Sequence, residues 1–121
     1  AGFAVVVQDC RGCGSSEGEC NPFFQEARDS KDTIAWIIAQ TWSKGRVGMA
    51  GGSYLGAIQW LPANEGPAAL QALAPYVTTA QYYQPWTYQG EPFSLAFVSF
   101  GLWDSLACQR YSAGWHVVRQ P

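Results

Sequence analysis

Ala4–Val7 is a continuous apolar run, Val47–Ala50 and Leu70–Ala74 read as two further short strands, and the segment between the first two places Ile34, Ile37 and Ile38 at helical spacing. An unbroken apolar run suits a strand covered on both faces, as in a parallel sheet. Parallel neighbours cannot be joined by a tight hairpin and need a crossover, usually a helix. The order strand, helix, strand, helix, strand therefore restricts the chain to an α/β fold, a parallel sheet with crossover helices.

The helix between the first two strands is expected over Glu26–Gln40, with Asp29, Lys31 and Asp32 on its polar side and Ser43-Lys44-Gly45 stopping it. A second helix is expected from Tyr54 to Leu61, ended by Pro62 because the residue before proline is pushed out of the α region. Pro75 is expected to close the third strand. From Tyr82 onward the composition changes: Tyr82, Tyr83, Trp86, Tyr88, Phe93, Phe97, Phe100 and Trp103 crowd a stretch with few charges. The chain opens on Ala1 and enters a strand almost at once, the pattern expected of a stretch cut from a longer protein. Apolar residues make up 48% and charged residues 13%, the balance of a globular chain, not a disordered one. Net charge is −2 with both signs interspersed, which gives no nucleic-acid surface, and no apolar run approaches the roughly 20 residues of a membrane span.

The chemistry-bearing motif is Gly51-Gly52-Ser53-Tyr54-Leu55-Gly56, set between an expected strand and an expected helix. A serine hydroxyl is a weak nucleophile and must project from a tight turn for a base to reach it. Such a turn needs residues without Cβ where backbone segments approach closely. The helix that follows offers unpaired backbone N–H groups, and that of Tyr54 is placed to stabilise an oxyanion. The spacing is one residue longer than the usual G-x-S-x-G elbow. A serine among glycines is often a plain turn; the strand-to-helix setting is what favours a nucleophile.

Other reactive residues are few. Cys10 and Cys13 have redox or half-zinc spacing, but four metal ligands are not at hand and a Gly/Ser-rich loop follows them, so Cys10, Cys13, Cys20 and Cys108 are expected to be unpaired thiols. No metal and no cofactor is expected. Hydrolases of this strand–turn–helix type run Ser, acid, His along the chain, and Ser53, Asp104 and His116 stand in that order. The gap from Asp104 to His116 is too short for the two to end different parallel strands, so a triad partner elsewhere is the better expectation.

These residues resemble the cocaine-esterase-like and X-Pro dipeptidyl-peptidase-like (CocE/NonD) family of α/β-hydrolases. The resemblance rests on Val7-Gln8-Asp9-Cys10-Arg11-Gly12, Ser16-Glu17-Gly18-Glu19, Asp32-Thr33-Ile34-Ala35-Trp36-Ile37 and Gln40-Thr41-Trp42-Ser43. It continues through Gly45 to Gly56, Ala72-Leu73-Ala74-Pro75 and Pro85-Trp86-Thr87-Tyr88, and fades after Trp103. The family's serine is followed by Tyr, one variable residue and Gly, which accounts for the longer elbow. Cys10 and Cys13 stand where the family usually has Thr and Arg.

The resemblance implies residues 1–81 as part of an α/β-hydrolase core and 82–121 as the start of a helical cap. It implies Ser53 as the acyl-accepting nucleophile, the Tyr54 N–H as one oxyanion donor, and Trp86 and Trp103 as substrate-binding residues of the acyl pocket. The second oxyanion donor, the acid and the histidine would lie outside these residues. The expected activity is a serine hydrolase acting on a small ester, an amide or a short peptide; an incomplete, non-catalytic relative is the alternative.

Overall fold

The computed structural model describes residues 2–88, 90, 92–95, 99 and 114–119. Along the chain run strand β1 (Ala4–Asp9), helix α1 (Glu26–Ala39), strand β2 (Val47–Gly52), two short helices α2 (Tyr54–Ala57) and α3 (Trp60–Asn64), strand β3 (Leu70–Tyr76), a π-helical segment (Tyr82–Thr87) and strand β4 (Gly114–Arg119). The strands form one sheet in the order β1-β4-β2-β3.

β2 and β3 are parallel, with Val47 opposite Leu70 and Gly52 opposite Tyr76, as a strand–helix–strand unit requires. β4 lies between β1 and β2 and is antiparallel to both: Val117 stands opposite Val6 on one side and Met49 on the other. The sheet is therefore mixed rather than purely parallel, and Gly114–Arg119 belong to the sheet although the sequence pattern set them with the residues beyond it. A six-residue strand pairing with segments far away in sequence leaves little trace in local periodicity.

β2 alternates buried and half-buried residues, with Val47 and Met49 almost fully covered. Around Val47 gather Ile34 and Ile37 of α1, with Val6, Trp42 and Leu70 at the edge of the cluster. Around Met49 gather Cys10, Cys13 and Ile58, with Tyr54, Leu55 and Leu73 packed against them. Two expectations change here. Ile38 does not share the buried stripe of Ile34 and Ile37 and is 43% exposed. β1 is covered on one face only: Val5 and Val7 are each 58% exposed, as an edge strand permits.

The expected helix after Ser53 is two helices. It breaks at Ile58-Gln59, and Pro62 does not end it but sits in the first turn of α3. Proline is tolerated there because a first-turn N–H has no intrahelical acceptor to lose. β3 runs past Pro75, which is accommodated because β3 is an edge strand.

Candidate active site

Ser53 stands between the last residue of β2 and the first residue of α2, with φ 54° and ψ −123°. A non-glycine residue there is in strained backbone, at a cost of roughly 1–3 kcal/mol, and persists only where its surroundings over-determine it. The surroundings are explicit. The Ser53 N–H donates to the carbonyl of Tyr76 at 3.0 Å, tying the turn to the end of β3. The Ser53 carbonyl accepts the N–H groups of Gly56 at 3.0 Å and Ala57 at 2.9 Å, starting α2 on the spot. Val77, next after β3, also has a positive φ of 51°, so both strand ends at this corner leave ordinary backbone space.

The flanking glycines serve close approach. A Cβ on Gly56 would lie 2.9 Å from both the Gly51 carbonyl oxygen and the Thr78 methyl, and one on Gly51 would lie 2.7 Å from the Leu55 Cβ. A Cβ on Gly52 would enter the Tyr76 ring. Behind the turn, the buried Gln59 donates through Nε2 to the Leu55 carbonyl at 2.9 Å and reaches the Gly51 carbonyl at 3.4 Å. The result is an exposed serine on a braced turn. Tyr54, as the first residue of α2, presents an N–H with no acceptor inside that helix.

The Tyr54 side chain turns inward. Its ring meets Phe23 edge-on, with centroids 4.9 Å apart, and Phe23 in turn lies 5.6 Å from Tyr82. The Tyr54 hydroxyl donates to Oε1 of Glu26, a carboxylate only 6% exposed at the first position of α1. Burial first, and then the hydrogen bond to Glu26, holds the Tyr54 hydroxyl proton well above the usual tyrosine range. Burial likewise raises the Tyr82 hydroxyl, with the nearby Thr78 working against it. Sequence reasoning did not find Glu26: an acid in the first turn of a helix is common because of the helix dipole, so its residue type alone carries no signal.

The loop after β1 is built separately. Asp9 accepts the Ser15 N–H at 2.9 Å, and its carbonyl accepts the Ser16 hydroxyl at 2.9 Å. Arg11 makes a two-point contact with Asp29, Nε at 2.9 Å and Nη2 at 2.6 Å, and that hydrogen bond with the adjacent charge keeps its proton still more firmly than usual. Cys13 is disulfide-bonded and so is not the unpaired thiol expected; the Cys20 Sγ lies 3.3 Å from its sulfur, too far for a disulfide between the two, and Cys108 lies outside the described residues. The described residues contain no group of three or more His, Cys, Asp or Glu able to hold a metal.

Trp86 falls in the π-helical segment that follows β3, and Trp103 and Asp104 lie outside the described residues. His116 is within β4, its backbone opposite Val7 and Ala50.

A serine at a strand-to-helix turn of an α/β chain is an arrangement that hydrolase cores use. The sequence profile of the X-Pro dipeptidyl-peptidase (S15) family matches residues 1–116, and the chain belongs to that family. It is 45% identical over 95 residues to the cocaine esterase of Rhodococcus sp. (strain MB1 Bresler), covering 78% of this chain and 17% of that protein. It is 33% identical over 93 residues to a protein of Mycobacterium bovis provisionally named a serine esterase, covering 74% of this chain and 15% of the relative. A protein of Bacillus anthracis provisionally named an Xaa-Pro dipeptidyl-peptidase shares 29% identity over 114 residues, again 74% of this chain and 19% of the relative. The chain thus spans less than a fifth of the length of each of these three relatives.

Proposed function

We propose that this chain carries the nucleophile of a serine hydrolase that cleaves an ester or amide bond through an acyl-enzyme. The observation that carries the reading is the backbone of Ser53, φ 54° and ψ −123°, on an exposed turn between β2 and α2. A plain glycine-rich turn would put the positive φ on a glycine. Here the serine takes it, and a strained residue held by its surroundings is a mark of a working site.

In this reading a base outside the described residues takes the Ser53 proton as Oγ bonds to the acyl carbon. The tetrahedral oxyanion is met by the Tyr54 N–H. The carbon–oxygen or carbon–nitrogen bond of the substrate then breaks, and the leaving group departs with the proton that the base returns. Water repeats the sequence on the acyl-serine and releases the acid. The substrate is a small ester, an amide or a short peptide, in keeping with relatives named as esterases and dipeptidyl-peptidases. Trp86 and Trp103 are proposed to line the acyl pocket, the first by its place directly after β3, both by resemblance to the family. Residues 1–81 would supply the core, and residues from 82 toward Trp103 the start of a cap over the site.

The test is pre-steady-state turnover of a p-nitrophenyl ester by the complete protein. An acyl-enzyme gives a burst near one equivalent of nitrophenol per active site, absent in Ser53→Ala. A wild-type burst in that variant would overturn the assignment.

A further inference from the structure

We propose that Glu26 is a positioning residue for this reaction: by holding the Tyr54 hydroxyl it fixes the direction in which the Tyr54 N–H meets the oxyanion. The inference rests on Ser53 being the nucleophile. The torsion that aims the Tyr54 N–H is ψ of Ser53, which at −123° beside a φ of 54° lies outside the ordinary wells and relaxes unless restrained. On the serine side the restraint is backbone: Tyr76 on the Ser53 N–H, and Gly56 and Ala57 on its carbonyl. On the far side of the same peptide the anchor is the Tyr54 side chain, gripped by the Phe23 ring and the Glu26 carboxylate.

The two helices involved are unequal. α2 has 4 residues, too few to be rigid by itself, whereas α1 has 14 and is seated on the sheet through Ile34 and Ile37. The Glu26–Tyr54 hydrogen bond ties the first residue of the short helix to the first residue of the long one. A carboxylate 6% exposed is costly, and two apolar residues of the same volume would fill this space at lower cost if filling were all that mattered. Its oxygens are both engaged, Oε1 by the Tyr54 hydroxyl and Oε2 by the Gln25 N–H at 3.2 Å. The pair is a brace on the donor, and a 1 Å error in such a donor is felt in the transition state far more than in the ground state.

The experiment compares Tyr54→Phe, Glu26→Ala, Glu26→Gln and the double variant Glu26→Ala/Tyr54→Phe in the complete protein. All rates are normalised to active sites titrated with a fluorophosphonate. The readouts are kcat, KM for a p-nitrophenyl ester, and the inhibition constant of an aryl boronic acid, which forms a tetrahedral adduct on serine. The brace predicts that Tyr54→Phe and Glu26→Ala lower kcat by about tenfold and weaken the boronate by the same factor, while KM stays within about twofold. The double variant falls no further than either single one, since both remove the same link. Glu26→Gln retains an acceptor oxygen and stays within about threefold of wild type. Should Glu26→Ala fail to fold, Tyr54→Phe decides alone, because it removes one oxygen and leaves the ring in place. Wild-type kcat and boronate affinity per titrated site, with only the melting temperature lowered, would overturn the brace. Ser53→Ala run alongside separates the two ideas: if it keeps turning over substrate, the nucleophile reading fails, and if it is dead while Tyr54→Phe is normal, only the brace fails.

Discussion

Two glycine-rich connections leave the sheet, one after β1 and one after β2; both use glycine for close approach, but they differ in where the positive φ falls. In the loop from Cys10 to Gln25, Gly12, Gly14 and Gly18 take φ of 71°, 55° and 98°, so glycine supplies much of the left-handed backbone, Phe23 also taking 69°, and the loop is fixed by Asp9 and by the Arg11–Asp29 contact. In the turn at Ser53 the glycines supply missing side chains, and the positive φ falls on the serine. Where the left-handed conformation falls on glycine it carries no steric cost. A turn that places it on a nucleophile is held by every neighbour, which is the condition for aiming one hydroxyl and one N–H at a single point.

Breaking the turn should therefore cost more than breaking the loop. Gly56→Val adds atoms against the Thr78 methyl and against the Gly51 and Tyr76 carbonyls, and neither carbonyl can move without moving a strand end. We expect a loss of about 3 kcal/mol or more of stability and of at least about a hundredfold in esterase rate. Gly18→Ala meets only the flexible Arg11 side chain, at 2.9 Å, and strains φ; it should cost about 1 kcal/mol and leave kcat unchanged. Thermal unfolding and steady-state kinetics on both variants check the contrast, and an equal loss of rate in the two would erase it.

A smaller effect tests the pocket wall. Trp86→Ala in the complete protein should raise KM by about tenfold for aromatic acyl groups and less for acetyl, with unfolding unchanged. Failure to fold would place Trp86 in the core instead.

A smaller effect still comes from Tyr54. Its hydroxyl proton is held above the ordinary range in the folded state, so its contribution to stability is complete below the unfolded value near 10 and is lost as pH rises above it. Stability measured from pH 9 to pH 11 should fall more steeply in wild type than in Tyr54→Phe; parallel curves would contradict the buried, donating hydroxyl. At the bottom of the scale, Lys31→Ala removes an exposed ion pair with Glu65 at 2.6 Å and should leave the melting temperature unchanged within error.

The sequence carried the parts of this architecture that depend on neighbours along the chain. β1, α1, β2 and β3 lie where apolar runs and the i, i+3 spacing of Ile34 and Ile37 put them, and the serine turn follows from glycine spacing at a strand end. What depends on partners far off in sequence was hidden. β4 pairs across more than a hundred residues with β1, and Glu26 reaches Tyr54 across 28. Pro62 misled for a local reason: proline forbids a helix interior but fits a first turn, and only the break at Ile58-Gln59 makes its position a first turn.

The account stands or falls on Ser53 itself. The complete protein treated with a fluorophosphonate and digested should yield one modified peptide, carrying the adduct on Ser53 at about one equivalent per chain, with none in Ser53→Ala. An adduct on a different residue, or unchanged labelling in the alanine variant, would contradict the assignment of this turn as the nucleophilic centre.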